Sequence, residues 1–382
     1  MSLRDRLVGR IAAHGPLTVA DYMDACLHDP RDGYYATRPA LGEGGDFLTA
    51  PHTSQMFGEL IGLWAAETWT RMGGPPRFAL VELGPGDGTL MSDILRAGRA
   101  APGFNEAAQV WLVETSDPLR ALQAARLGDR PRWADELGEV PRDAPVILAA
   151  NEFLDCLPIR QAVSTPEGWR ERRVGVDENG ALRFEVGPPL PPLLGRVGPE
   201  GRGGAVCNDG SFGGHTGAPH PDGFAVCPSP GGEGGVVEFS PGLEAFGREV
   251  AGLLEEATGA ALFIDYGRSA AGYGDTLQAL RGHAKEGPLE NPGSADLTAW
   301  VDFPAFLDAA AAPDSPILSQ GVFLRRLGIE MRAAALAAAH PEQAGKIMRQ
   351  LERLIGVDQM GELFKVVALG SPGVPLAGFE AA

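Results

Sequence analysis

Three glycines at alternate positions, Gly84, Gly86 and Gly88, follow one acid, Glu82, and enclose another, Asp87. Glycine at alternate positions lets the backbone turn tightly and removes the Cβ atoms that would hold a ligand away, so a cofactor can lie against bare peptide. The flanking residues say what carries this loop. Positions 78–83 form an apolar run interrupted only by Glu82, the pattern of a strand buried on both faces of a parallel sheet. After Thr89, the residues Leu90, Met91, Ile94 and Leu95 recur at helical spacing. Strand, glycine loop and helix in that order make a nucleotide-binding βα unit.

Charge then chooses among nucleotides. A dinucleotide fingerprint, G-x-G-x-x-G counted from Gly84, needs glycine where the chain has Thr89; the spacing here is G-x-G-x-G. A pyrophosphate is an anion that Glu82 and Asp87 would repel. S-adenosylmethionine has no phosphate and carries a sulfonium and an ammonium, which the same acids attract. Glu114 closes the next apolar run, VWLVE, where a carboxylate would take both ribose hydroxyls. Such charge-assisted hydrogen bonds contribute roughly 1.5–3 kcal/mol each. The expected cofactor is therefore S-adenosylmethionine, with Glu82, Gly84, Gly86, Gly88 and Glu114 as its binding residues.

Composition narrows the partners. The chain has 382 residues, 44% of them hydrophobic, enough for a sizeable core and two or three domains. A formal net charge of −18 argues against a nucleic-acid or anionic-membrane surface and favours a basic partner. Four cysteines without a C-x-x-C motif are too few for a disulfide framework, so a reducing compartment is expected. The start, MSLRDRLVGRIAAHG, lacks the apolar centre of a signal peptide, and no segment approaches the ~18 apolar residues of a membrane span. These features predict a cytoplasmic protein. Cys207, His215, His220 and Cys227 follow no standard zinc spacing, and no metal is expected.

The elements that must position these groups follow in order. Residues 1–76 read as helical: Leu3, Leu7, Ile11 and Ala12 form one stripe, Thr18 and Asp21 a capping box, and Phe57, Leu60, Ile61 and Trp64 a third helix face. Between them, 29–55 is too long for a plain connection and is expected to be a lid over cofactor or substrate. Residues 77–160 alternate strand and helix, with strands at 78–84, 109–114, near Trp133 and at 146–150. Within 161–240 an inserted β-meander gives way to a Gly/Pro-rich stretch from Gly187 to Gly235. The remainder, 241–382, supplies a helix at 242–257, a fifth strand at 260–267, a strand or edge at GDTLQAL, a helix over 303–312, an Ala-rich helical stretch at 329–355 and a last strand at 362–369. The expected fold is α/β: a doubly wound, mainly parallel, Rossmann-like sheet closed by antiparallel edge strands, with an N-terminal helical region and an inserted meander.

Eight strings, in order, resemble the MidA-like family of class I methyltransferases: GDFLTAPHTSQMFGELIGLW (45–64), VELGPGDGTLMSDILR (81–96), NEFLDCLPIR (151–160), FIDYG (263–267), GDTLQAL (274–280), ADLTAWVDF (295–303), SQGVFLRRLGI (319–329) and MGELFKVVAL (360–369). The resemblance implies an S-adenosylmethionine-dependent enzyme. Mitochondrial members of that family are protein arginine methyltransferases assisting assembly of respiratory complex I, so a protein substrate with an exposed arginine is implied. Two positions depart from the family pattern: Trp300 stands where His is usual, and His52 where Glu is common. The stretch 187–235 is also longer and richer in glycine than the family leads one to expect.

Arginine is a difficult nucleophile, because its guanidinium stays charged to a pKa above about 12. Carboxylates in bidentate contact orient the planar fork, localise its charge and aim one nitrogen at the methyl carbon. NEFLD follows the fourth strand, and carboxyl ends of parallel strands border the ligand crevice, so Asn151, Glu152 and Asp155 are candidate catalytic residues. Asn151 and Asp155 equally suit a helix N-cap and first turn. Asp265, ending another strand, is the fourth candidate, with a structural hydrogen-bonding role as its alternative. Asp46, Asp302 and His283 are weaker ones, and Tyr34, Tyr35 and Trp300 could form a cation–π wall or pack in the core. A small-molecule methyltransferase and a cofactor-binding assembly factor without turnover are the rival functions.

Overall fold

The computed structural model describes residues 1–37, 49–190, 235–270, 272–282 and 284–380. The chain divides into two compact units, each assembled from three segments: Met1–Tyr34, Cys156–Glu244 and Arg268–Ala305 in one, Tyr35–Asp155, Ala245–Gly267 and Phe306–Ala382 in the other.

The first unit holds the N-terminal helices and the meander. Leu3–His14 and Val19–His28 are helices, each opened by a reciprocal capping box, Ser2 with Asp5 and Thr18 with Asp21. Leu3, Leu7 and Ile11 are buried as the spacing predicts, while Ala12 is exposed. Arg160–Thr165, Gly168–Val176 and Leu182–Pro189 form the expected antiparallel meander, and Val236–Phe239 pairs with its first strand. Buried Glu238 ties this sheet to the GDTLQAL segment. Its carboxylate accepts from Gln161 Nε2 at 2.9 Å, the Thr276 N–H at 2.8 Å and Thr276 Oγ1 at 2.6 Å, and pairs with Arg268 at 3.1 Å. Within GDTLQAL only the end is a strand, Gln278–Arg281, flanked by Ala284–Glu286 and Asp296–Thr298.

The second unit is built on the parallel sheet, whose elements in chain order are α1 (Ala50–Thr53), α2 (Gln55–Arg71), β1 (Phe78–Leu83), α3 (Thr89–Gly98), β2 (Ala108–Val113), α4 (Asp117–Leu127), β3 (Pro131–Ala134), β4 (Val146–Asn151), β5 (Gly259–Arg268), β6 (Leu318–Ser319) and β7 (Phe364–Gly370). The strand order is β6-β7-β5-β4-β1-β2-β3. Strands β3, β2, β1, β4 and β5 are parallel, whereas β7 runs antiparallel to β5 and β6 to β7. This is the expected mainly parallel sheet with antiparallel strands at one edge. Every residue of β1 is buried, which explains its near-continuous apolar sequence. Helix α2 buries Phe57, Leu60, Ile61 and Trp64 as expected, and its Glu59 accepts from Arg96 of α3 and Arg332.

Several elements are shorter than the sequence pattern suggests. The Ala-rich stretch 329–355 is two helices, Ile329–Ala339 and Ala344–Ile355, because Pro341 has no N–H to continue the ladder. The helix over 303–312 ends at Ala309, and Ala311 takes a left-handed φ of 55°. Residues 34–37 and 50–53 of the supposed lid form short helices, and the rest of it, 38–48, lies outside the described residues. So does nearly all of the Gly/Pro-rich stretch, 191–234, with Cys207, His215, His220 and Cys227. Among the described residues no helix is long and apolar enough to cross a membrane.

The core beneath β5 is aromatic. Phe263 meets Phe306 edge-on at 4.8 Å and Phe246 at 6.0 Å, and Phe246 in turn meets Phe153 at 5.4 Å. Phe263 is fully buried. Phe263→Ala is expected to destabilise the protein by ~3–5 kcal/mol, seen as a lower urea midpoint. An unchanged midpoint would mean the cluster contributes little.

Candidate active site

Sheet register brings the candidate residues to one edge. Leu83 lies opposite Val113 and Ala150, and Ile264 lies opposite Asn151. The next residues, Gly84, Glu114 and Glu152, therefore leave the sheet together at the carboxyl ends of β1, β2 and β4, while Asp265, still paired with Lys365 of β7, follows Ile264 within β5. Strand order reverses between β1 and β4, the switch point at which parallel sheets open a ligand crevice.

The glycine loop bends where no side chain is tolerated. Gly84, Gly86 and Gly88 all have positive φ, 56°, 55° and 80°. At Gly84 a Cβ would also come within 3.1 Å of the Phe153 ring. Asp87, expected to act on the ligand, is instead satisfied inside the chain. Its carboxylate accepts from the Thr89 N–H at 3.0 Å, Thr89 Oγ1 at 2.6 Å and Arg126 at 2.6 Å, while His52 Nε2 approaches to 3.3 Å without hydrogen-bond alignment. Burial raises its pKa, but His52, Thr89 and Arg126 outweigh that and hold the carboxyl well below the usual range. Asp87 therefore fastens the loop.

Glu82 is 2% exposed, and its Oε2 has no hydrogen-bond partner. Burial, followed by the charge of Asp87, pushes its carboxyl well above the usual range. Asn151 Oδ1 is a second buried acceptor without a donor. The two stand at the ends of adjacent strands, β1 and β4. Buried acceptors lacking donors are costly unless a ligand brings the missing N–H groups, and a cation next to Glu82 would restore its ionised form. An ammonium meets both needs. Glu114 accepts from the Ser116 N–H at 2.7 Å and Gln123 Nε2 at 3.4 Å, and burial raises its pKa. A carboxylate accepts about four hydrogen bonds, which leaves Glu114 capacity for two hydroxyls. The donor set fits S-adenosylmethionine.

Glu152 is the centre of the site. It has a left-handed φ of 54°, which costs a non-glycine residue of order 1–3 kcal/mol. Its N–H still donates to Ile264 O at 2.9 Å, and its Oε1 accepts from Asn151 Nδ2 at 2.8 Å and the Ala50 N–H at 3.2 Å. Burial, then the charge of Asp155, raises its pKa to about 7. Beyond it the chain turns back on Asp265, whose Oδ2 accepts the N–H groups of Phe153, Leu154 and Asp155 at 3.0, 2.8 and 3.2 Å. Its Oδ1 accepts the Tyr266 N–H at 2.9 Å. Asp265, 1% exposed, is thus committed to four backbone donors and fills the structural alternative. No helix follows Asn151, so an N-cap role for Asn151 or Asp155 has no element to serve. Asp302 likewise accepts from the Ala305 N–H, the turn role such acids commonly have, and Tyr34 is fully buried in the core. Asp46 and His283 lie outside the described residues.

Comparison with known proteins agrees with this geometry. Residues 60–316 match the family model described as an S-adenosyl-L-methionine-dependent methyltransferase. The chain belongs to that family, the MidA-like methyltransferases. Among its relatives, the mouse protein named protein arginine methyltransferase NDUFAF7, mitochondrial, is 33% identical over 95% of this chain and 83% of its own length. The bovine counterpart is 34% identical over 95% and 82%. A COG1565 superfamily member from Burkholderia thailandensis, crystallised bound to S-adenosyl-homocysteine, is 27% identical with a TM-score of 0.79, covering 100% of this chain and 95% of that one. The chain is thus an S-adenosylmethionine-dependent methyltransferase, the class that the glycine loop and acids had indicated. The cytoplasmic placement is corrected: the mouse, bovine and fly relatives are all named as mitochondrial proteins.

Two further residues brace this edge of the sheet: His52, which the sequence marked only as a departure from the family pattern, and Gln123, which sequence reasoning passed over. His52 spans Thr49 Oγ1, 2.7 Å from Nδ1, and Asp87, beside the Ala50 N–H that reaches Glu152. Gln123 is fully buried on the same face of α4 as Leu119, and an amide on an apolar stripe was the available signal. The sign of the Glu152 shift gives a stability test. A carboxyl whose folded pKa lies above its unfolded value stabilises the fold below the unfolded value of 4.5, and that contribution is lost as pH rises to about 7. Glu152→Gln should match the parent near pH 4.5 and exceed it above pH 7 by on the order of 1–3 kcal/mol. Thermal melts across that window read this difference; a constant gap would place the Glu152 pKa at its ordinary value.

Proposed function

We propose that this methyltransferase transfers its methyl group to an arginine side chain of a protein, with a respiratory complex I-type subunit as the target implied by the family resemblance. The carrying observation is Glu152: a carboxyl near neutrality, beside Asn151, at the switch point and next to the glycine loop. The names of the mouse and bovine relatives support arginine as the acceptor. In this reading residues 77–160 are the cofactor-binding core, preceded by a helical region with a lid (1–76) and followed by the insertion (161–240) and the rest of the methyltransferase (241–382).

When bound, S-adenosylmethionine supplies a methyl group on a positively charged sulfur. Glu82 and Asn151 Oδ1 would accept from its ammonium and Glu114 from its ribose hydroxyls, and the glycine loop would let it approach the backbone. Glu152 Oε1 is already engaged by Asn151 and Ala50, so Oε2 faces the guanidinium. A guanidinium oriented there by Glu152 would present one nitrogen to the methyl carbon, which would leave sulfur with the electron pair of its bond. The nitrogen then carries one proton too many. Glu152, with a pKa of about 7, takes it and releases it to water. Burial, and after it the charge of Asp155, favours the protonated form of Glu152, which suits a proton acceptor.

Two measurements test this. Incubated with labelled S-adenosylmethionine and a lysate lacking the protein, the enzyme should label one protein band that mass spectrometry reads as methylarginine. Label in small molecules alone would favour a small-molecule acceptor, and cofactor binding without label an assembly factor. With the purified substrate, kcat/KM should rise with pH through about 7 as Glu152 ionises in the free enzyme. Glu152→Gln should lower kcat by at least about 100-fold and remove that rise.

A further inference from the structure

We propose that Gln123 is a positioning residue that sets the cofactor's adenosine end, by fixing the glycine loop and the ribose acid in one register. The inference rests on the role proposed above for Glu114. Gln123 sits on α4 with no solvent exposure, and both its amide donors and its oxygen are engaged. Its Nε2 donates to Gly86 O at 2.7 Å and to Glu114 Oε2 at 3.4 Å, and its Oε1 accepts from Trp133 Nε1 at 2.7 Å. One amide therefore joins the loop after β1, the acid after β2 and the strand β3. Contact is close as well as polar, since a Cβ on Gly88 would meet Gln123 Cα and Cγ at 3.5 Å.

The arrangement is selective. Gly86 O and Trp133 Nε1 need opposite partners, a donor and an acceptor, and the amide of Gln123 offers both at once. The bond to Glu114 is long and occupies one site of a carboxylate whose other oxygen takes the Ser116 N–H. Gln123 thus aims Glu114 without exhausting it. Gly86 is held through its carbonyl, which fixes where the peptide face of the loop stands. The residue touches neither the reacting methyl nor Glu152, so it acts on cofactor affinity and not on the transfer step.

Two variants test this by calorimetry against S-adenosyl-homocysteine and its 2′-deoxy analogue. Gln123→Glu keeps the acceptor for Trp133 but loses the donor to Gly86 and Glu114. Gln123→Met keeps the volume and loses both. The parent should prefer the ribose ligand by about tenfold or more, as a charge-assisted hydrogen bond gives. In the variants affinity for S-adenosyl-homocysteine should fall about tenfold, and the preference for ribose should drop to about threefold or less. KM for S-adenosylmethionine should rise while kcat at saturation stays within about twofold. Variants with parental affinity and preference would overturn the inference, as would failure of both variants to fold, which would make Gln123 purely structural. A parent with no ribose preference would overturn the role of Glu114 itself, and the inference with it.

Discussion

The site depends on one buried carboxylate. Asp265 lies within the buried run of β5 and gathers four backbone N–H groups, three of them from consecutive residues after Glu152. Donors that converge on a single anion each contribute roughly 1.5–3 kcal/mol, enough to hold Glu152 in a left-handed conformation that its side chain disfavours. Backbone geometry then fixes where the Glu152 carboxyl emerges from β4. Because β4 and β5 are parallel neighbours in register, the clamp exists only when the sheet is correctly assembled. Burial and the carboxyls of Asp155 and Glu152 push Asp265 upward in pKa, and the backbone donors pull it back.

Around that clamp the edge of the sheet concentrates acids. Glu114 and Glu152 leave β2 and β4 at their carboxyl ends, Glu82 and Asp265 lie within β1 and β5, and burial raises each of their pKa values. Such a cluster is strained electrostatically in the free protein and relieved by cations. S-adenosylmethionine is a cation, so the charge pattern that destabilises the empty edge favours the cofactor of this methyltransferase. Asp87 is the exception, held ionised by Arg126, His52 and Thr89 and directed at the loop itself.

Much of the fold could be read from residue patterns. The parallel strands announced themselves as apolar runs because they are buried on both faces, and Thr18 with Asp21 marked a helix start because a capping box is a local hydrogen-bond pair. Strand ends then located Glu82, Glu114 and Glu152 without any knowledge of topology. The rest depended on contacts distant in sequence. Asp265 reaches Phe153 across 112 positions, and no local pattern separates a clamp from a catalytic acid. Asp87 looked like a ligand group because its partner Arg126 lies on another helix. Pro341 was legible as a break and outweighed the alanines around it. Composition reports solubility and redox state but not the compartment, which is why the cytoplasmic reading failed.

The measurement that bears most directly on this account is a crystal structure of the protein with S-adenosyl-homocysteine and an arginine-containing substrate peptide. The account predicts the guanidinium within hydrogen-bonding distance of Glu152 Oε2, one of its nitrogens directed at the cofactor sulfur, and Asp265 still bound to the backbone N–H groups of residues 153–155. A guanidinium held elsewhere, or Glu152 turned from the sulfur, would contradict it.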